Sequence, residues 1–301
     1  MKKTASDMIK HHDLNGKVFL VTGAYSGLGA ITTQVLLKAK AKVIIASRNA
    51  KTQADFAQGL IDDKDILFDP QQLDASHTLD LGDLASVRDF AHYVKGAYDQ
   101  IDGLINNAGV MYTPPGKTKD GFEMQMGVNV IGHFLLSKIL AEITRRQIWL
   151  SSKGHTRLGA PRINLDQITK VDNGDYNPRL RYQQSKLGNI LLAKQFGEEY
   201  PHLKAVSVHP GMVSTNLGRN ISFVQKLTFI LTNPLMVMNM KQPEEGAATQ
   251  VMVAIMPESE LTNGAYYADC RVTEEAESAK NMEDAKKLYD YCNEVTLAYQ
   301  A

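Results

Sequence analysis

Short apolar runs rich in β-branched residues recur along this chain, and each is followed by a longer segment with helical spacing. No other feature restricts the fold as much. Val18-Phe19-Leu20-Val21 is the first run and Val43-Ile44-Ile45-Ala46 the second; Leu104-Ile105, Ile148-Trp149-Leu150 and Ala205-Val206-Ser207-Val208 follow. Runs without polar alternation suit strands buried on both faces, as in a parallel sheet. The segments between them are long enough for crossover helices, and Ser86 to Tyr98 and Gln184 to Tyr200 carry apolar residues at helical spacing. The predicted fold is α/β, a doubly wound parallel sheet in a three-layer α/β/α arrangement. No linker, internal repeat or low-complexity tract divides the chain, so residues 1–301 are expected to form one domain.

Charge and cysteine content narrow the partners. Thirty-three basic residues balance 33 acidic ones, so no net field favours nucleic acid or an anionic membrane. Cys270 and Cys292 are the only cysteines and have no metal-like spacing; a reduced, cytoplasmic protein without a metal site is the simpler expectation. His11 and His12 read as a solvated pair. The N-terminus has lysines but no apolar core after them, so no signal peptide or anchor is expected. Phe223 to Met240 is interrupted by Lys226, Asn233 and Pro234 and reads as a surface-packed helix, not a membrane span. A homo-oligomer is compatible with the sequence, which does not fix the oligomeric state.

The first strand runs into Thr22-Gly23-Ala24-Tyr25-Ser26-Gly27-Leu28-Gly29. Glycines spaced G-x-x-x-G-x-G permit a tight turn and let backbone N–H groups approach a pyrophosphate at a helix N-terminus. A plain strand-to-helix turn would use the same residues. The second strand ends Ala46-Ser47-Arg48-Asn49, about where an acidic residue would take the ribose hydroxyls of NAD. No carboxylate is there, and the Arg48 guanidinium suits a 2′-phosphate, which points to NADP(H). Leu79-Asp80-Leu81 is expected to close a third strand, with Asp80 placed to accept from the adenine amine. Asn106-Asn107-Ala108-Gly109 closes the fourth; an asparagine there serves either the cofactor or the neighbouring backbone.

Tyr182 and Lys186 lie four apart and share one helix face. A free phenol titrates near 10, poorly matched to proton transfer at neutral pH, and a nearby ammonium is expected to lower that value.

Taken in order, the Gly-rich turn, Asn106-Asn107-Ala108-Gly109, Ser151-Ser152 after strand five and Tyr182-x-x-x-Lys186 resemble the Rossmann-fold short-chain dehydrogenase/reductase family across nearly the whole chain. The resemblance implies Tyr182 as acid/base and Lys186 as its modulator and ribose partner. It implies Ser152 as the hydroxyl orienting the substrate oxygen and Asn129 as the residue holding a relay water. Gly23, Tyr25, Ser26, Gly27, Leu28, Gly29, Ser47, Arg48, Asp80, Leu81, Asn107, Ala108 and Gly109, with Tyr182 and Lys186, would line the cofactor. Pro210, Gly211, Val213 and Thr215, after His209, would cover the nicotinamide, and residues at about 212–242 would form a substrate lid.

Narrower pieces are similar to the retinol-dehydrogenase-like branch, including the oxidoreductase half of WW-domain oxidoreductases. They are Ala46-Ser47-Arg48-Asn49, Asp120-Gly121-Phe122-Glu123, Asn129-Val130-Ile131-Gly132-His133-Phe134, Ser185-Lys186-Leu187-Gly188-Asn189 and Gly264-Ala265-Tyr266-Tyr267-Ala268-Asp269-Cys270. The branch implies an NADP(H)-dependent oxidoreductase acting on a small-molecule carbonyl or alcohol of lipophilic character. The chain departs from the branch in its short Asn129 to Ser152 connection, in Trp149 on a strand, and in having no basic residue before Gly27 in the turn. Two alternatives share the motifs: a cofactor-binding regulator without turnover, and a protochlorophyllide-reductase-like enzyme that reduces a C=C bond.

Overall fold

The computed structural model describes residues 3–156, 162–171, 174, 176–213, 232 and 240–301. Its strands are β1 (Val18–Thr22), β2 (Lys42–Ala46), β3 (Leu73–Asp74), β4 (Gly103–Asn106), β5 (Arg146–Leu150), β6 (Lys204–His209), β7 (Tyr266–Ala268) and β8 (Arg271–Val272). They form one sheet in the order β3-β2-β1-β4-β5-β6-β7-β8. Every pairing from β3 across to β7 is parallel, and β8 folds back antiparallel on β7. The helices around it are α1 (Ala5–Ile9), α2 (Gly27–Lys38), α3 (Ala50–Asp62), α4 (Leu84–Ala97), α5 (Met124–Met126), α6 (Gly132–Ile139), α7 (Pro178–Glu199), α8 (Pro243–Ile255) and α9 (Met282–Thr296). The expected doubly wound α/β architecture is the observed one.

The strand runs are continuously apolar because both faces are covered. Along β1, Leu20 packs into one core with Ile44, Leu104, Phe134 and Trp149. Phe19 and Val21 point the other way, into a core with Val43, Ile45, Ile105 and Ile148. Successive strand side chains alternate faces, so a strand between two helical layers has no solvent side to make polar. Trp149 is fully buried, 5.5 Å from the Phe196 ring, so its bulk fills the layer beneath α7.

Two boundaries differ from the sequence reading. The third strand is Leu73–Asp74, and Leu79-Asp80-Leu81 lies beyond it. The amide of Gln53 holds the carbonyls of Ala75 and His77, and Asp80 accepts the Gly82 N–H in a local turn, which takes this stretch off the ladder. Helix α7 begins at Pro178, ahead of both Tyr182 and the apolar spacing from Gln184, because Asn177 accepts the N–H groups of Arg179 and Leu180 and Pro178 presets the first turn. Tyr182 is therefore well inside the helix.

Strand order reverses between β1 and β4, and the carboxyl ends of the strands on either side of such a switch form a crevice. Cys270 and Cys292 are both free thiols. Among the described residues no helix is long and apolar enough to cross a membrane, and no cluster of three or more potential ligands could hold a metal. Thr215 and, apart from Thr232 and Met240, the expected surface-packed helix from Phe223 to Met240 lie outside the described residues.

Candidate active site

The glycine-rich turn sits at the switch point. Gly23 and Gly27 adopt φ of +65° and +54°, which side-chain-bearing residues rarely hold. A Cβ on Gly29 would fall 2.3 Å from the Gly23 carbonyl oxygen, so helix and strand touch backbone to backbone. Ser26, at the N-cap of α2, makes no side-chain cap bond. The first amides of this helix therefore lack a capping acceptor from Ser26, and an anion suits them. Tyr25 and Ser26 flank the turn. Leu28 reaches α8, where a Cβ on Gly246 would meet both Leu28 and Val213, so two segments far apart in sequence meet here.

Thr22 ties this turn to the end of β4. Its Oγ1 accepts the N–H groups of Asn107 at 3.0 Å and Ala108 at 2.9 Å, and the Asn107 side chain donates to the Thr22 carbonyl at 2.8 Å. The Asn107 side chain thus does structural work, one of the two roles the sequence left open. At the end of β2, the Ser47 N–H donates to Gln53 and the Ser47 hydroxyl to the Asn49 carbonyl, while Arg48 is exposed. Asp80 and Leu81 lie across from it, with Leu81 carbonyl against Gly132 at the start of α6. Pro210 and Gly211 follow β6.

Beside this frame stand the groups singled out for chemistry. Tyr182 is buried beside Ser152, both within 4 Å of where a Cβ on Gly154 would stand, and Ser152 Oγ accepts the Gly154 N–H at 3.1 Å. Lys186, one turn on, donates to the Leu150 carbonyl at 2.8 Å, and its ammonium lies 5.8 Å from the Tyr182 ring centroid. Asn129 lies on a π-helical turn, Gly127–Ile131, between α5 and α6. Its side chain is fully engaged: Oδ1 accepts the Val110 N–H, and Nδ2 donates to the Val110 carbonyl and to the Ser185 hydroxyl. A Cβ on Gly109 would lie 3.2 Å from Asn129 Oδ1 and 3.6 Å from Lys186 Nζ, which places these three side by side.

The electrostatics correct one expectation. The Tyr182 phenol is pushed up, not down, because burial outweighs the opposing hydrogen bond from Ser152, and the nearby Tyr112 phenol adds to the rise. Burial also lowers the Lys186 ammonium to about 8. Desolvation acts on both groups against their charged forms, leaving a neutral phenol beside an amine that titrates close to neutrality.

Comparison with known proteins agrees with this geometry. The model of the short chain dehydrogenase family matches residues 17–149. Retinol dehydrogenase 14 of Mus musculus is 36% identical over 290 residues, spanning 92% of this chain and 85% of the relative. The chain belongs to the short-chain dehydrogenase family, in its retinol-dehydrogenase-like branch. Short-chain dehydrogenase TIC 32 A, chloroplastic, of Brassica napus is 34% identical over 96% of this chain and 91% of the relative. An uncharacterised protein of solved structure from Mycobacterium paratuberculosis superposes with a TM-score of 0.77 at 28% identity, covering 99% of this chain and 98% of its own.

Within this oxidoreductase family frame, the structure adds residues the motifs did not single out by role. His155 is fully buried, its Nδ1 2.5 Å from the Ser152 carbonyl and its Nε2 accepting the Ala276 N–H, so it joins the serine turn to the segment before α9. Tyr112 holds φ of +53°, its N–H bound by Gln125, and its ring meets Tyr182 edge to face at 5.5 Å. His133 bridges Thr22 and Asn129. A lone histidine in the apolar stretch Val130 to Leu136 was the one available signal for the last of these. Lys241 pairs with Asp269 at 2.7 Å, donates to the Pro210 carbonyl and bridges to Val213, which clips together the two ends of the expected lid. A cavity of about 310 Å³ at the opposite end of the sheet pairs its own charges, Lys17 with Asp102 and Arg145 with Glu258, and stands apart from these residues.

Proposed function

We propose that this chain is an NADP(H)-dependent oxidoreductase that interconverts a lipophilic carbonyl compound and its alcohol. One observation carries the reading: a buried Tyr182 beside Ser152, its phenol pushed up by burial, one helical turn before Lys186. A phenol kept neutral by burial is a proton donor waiting for a developing alkoxide.

The cofactor reading rests on the fit of this chain's own groups. The glycine cradle that any Cβ would fill, the α2 amides without a cap from Ser26, and the exposed Arg48 at a strand end without a carboxylate suit a dinucleotide bearing a 2′-phosphate. When bound, the nicotinamide supplies or accepts the hydride. Tyr182 Oη gives its proton to the substrate oxygen, and Ser152 Oγ orients that oxygen by a hydrogen bond. Lys186, titrating near 8, restores the proton to Tyr182 and holds the ribose hydroxyls. Asn129 can help a relay water only through its main-chain carbonyl, since its amide is already engaged.

The apolar residues of 212–242, from Leu217 through Met238, support a lipophilic substrate, because pocket walls are mostly apolar with few polar groups. The test is NADPH oxidation with a homologous series of straight-chain aldehydes. The expected result is a specificity constant that rises with chain length, by up to about fourfold per methylene at ~0.8 kcal/mol each. A flat series would reject the lipophilic pocket. NADPH binding without oxidation by any aldehyde or ketone would overturn the enzyme reading in favour of a cofactor-binding regulator.

A further inference from the structure

His133 is part of none of the chemistry assigned above, yet it is fully buried and both ring nitrogens are engaged. Nε2 lies 2.9 Å from Thr22 Oγ1 and Nδ1 lies 3.2 Å from the Asn129 carbonyl oxygen. The Trp149 ring stands edge-on to the imidazole at 6.4 Å and helps fix its plane.

Donor and acceptor counting leaves one arrangement of protons. A carbonyl only accepts, so Nδ1 carries the hydrogen toward Asn129. Burial lowers the imidazole to about 3 and the Lys186 charge adds to that, so the ring is neutral and Nε2 is an acceptor. Thr22 Oγ1 already accepts the amides of Asn107 and Ala108, and its single hydrogen has two acceptors within reach, Nε2 at 2.9 Å and the Ile105 carbonyl at 3.4 Å, of which the shorter is Nε2. The result is a directed chain: Asn107 and Ala108 amides to Thr22, Thr22 to His133, His133 to Asn129.

That chain has a functional site at each end. Asn107 and Ala108 lie against the glycine turn, where a Cβ on Gly23 would be 3.0 Å from Ala108. Asn129 lies against Gly109 and Lys186. We propose, on the basis of the reading above, that His133 is a positioning residue that sets the Asn129 carbonyl relative to Lys186 with one nitrogen and the cofactor turn with the other. It holds that carbonyl by one hydrogen bond and touches neither substrate nor cofactor.

The two arms separate by substitution. In His133→Asn the amide nitrogen replaces Nδ1 and nothing reaches Thr22. In His133→Gln the amide oxygen replaces Nε2 and the contact to Asn129 is lost. NADPH affinity is read by fluorescence titration, which needs no turnover, and kcat and KM by oxidation of NADPH with decanal, per folded protein. The expected result is a crossed pattern. The Asn variant loses mainly affinity, about three- to tenfold. The Gln variant loses mainly kcat, about five- to thirtyfold, with affinity and KM little changed. His133→Phe shows both losses. If the Asn and Gln variants change together, or neither changes, or both losses follow a common fall in Tm, His133 is packing alone and the proposal is overturned. If the wild type binds NADPH but turns nothing over, the enzyme reading falls, and the affinity difference between the Asn and Gln variants still decides the Thr22 arm on which the proposal stands.

Discussion

The two sides of the crevice are built from different materials. On the β1–β2 side the candidate surface is backbone: positive-φ glycines, helix amides without a cap from Ser26, and main-chain groups pinned by Thr22, Gln53 and Asn107. On the β5–β6 side it is side chains held against their charged forms by burial: Tyr182 pushed up, Lys186 lowered to about 8, His133 to about 3 and His209 to about 4. Under the proposed function, the first side would recognise by shape and fixed dipoles, needing little from residue chemistry beyond small size, and the second would store proton-transfer capacity, which a low-dielectric setting tunes.

If that division is right, substitutions on the two sides separate binding from chemistry. The largest effect belongs to Tyr182→Phe, which keeps the ring and removes the proton. Turnover should fall roughly 10²–10⁴-fold while NADPH affinity stays within about twofold by titration; a variant retaining most of the wild-type rate would remove Tyr182 from the chemistry.

Gly29→Ala attacks the other side. Its Cβ would sit 2.3 Å from a backbone oxygen that cannot swing away, so turn and helix must part. NADPH affinity should drop roughly a hundredfold, with a lower Tm, as overpacking strain adds to misplaced backbone donors. An unchanged affinity would show that this cradle is not the phosphate site.

Arg48→Ala sharpens the comparison, since Arg48 is the one charged side chain the backbone-built side is asked to use. NADPH should bind about ten- to a hundredfold more weakly, as expected for a charge-assisted contact of ~1.5–3 kcal/mol, with NADH little affected. Equal wild-type affinities for the two cofactors by calorimetry would refute the NADP(H) preference.

A further effect is on stability. His133 and His209 are depressed from 6.5 in the folded state to about 3 and about 4. The unfolded chain therefore binds their protons first as pH falls below 6.5. Stability is lost progressively from there down to the folded values, by up to about 1.4 kcal/mol per pH unit for each group. Urea unfolding of His133→Gln between pH 7 and 4 should show a shallower loss than the wild type; parallel curves would mean that His133 is not held neutral.

Much of this was legible in the sequence where the determinants are local. The strand runs, the glycine spacing and the Tyr182–Lys186 interval each lie within a few residues, and the architecture follows from their order. The third strand was misplaced because its end is set by Gln53, a side chain from a neighbouring helix, and not by its own apolar pattern. His155 escaped notice because its partner Ala276 is far along the chain. His133 appeared only as a letter in a familiar stretch, since its meaning depends on Thr22 arriving beside it from β1. The rise of the Tyr182 phenol was misjudged for a related reason: spacing reveals a neighbouring ammonium but not how deeply both groups are buried.

The clip formed by Val213, Lys241 and Asp269 bears on how such a protein can change over time. Val213 and Lys241 stand side by side, one just after β6 and the other just before α8, and Lys241 is held by Asp269 and the Pro210 carbonyl, so groups outside residues 214–239 hold the two flanks of that stretch. Lengthening such a stretch costs only about 0.6 kcal/mol per doubling. Under the proposed reading, substitutions within residues 214–239 are expected to leave the register of the sheet and the spacing of Ser152, Tyr182 and Lys186 unchanged. On that reading, new substrate preferences would be open to selection while the proposed reaction stayed the same.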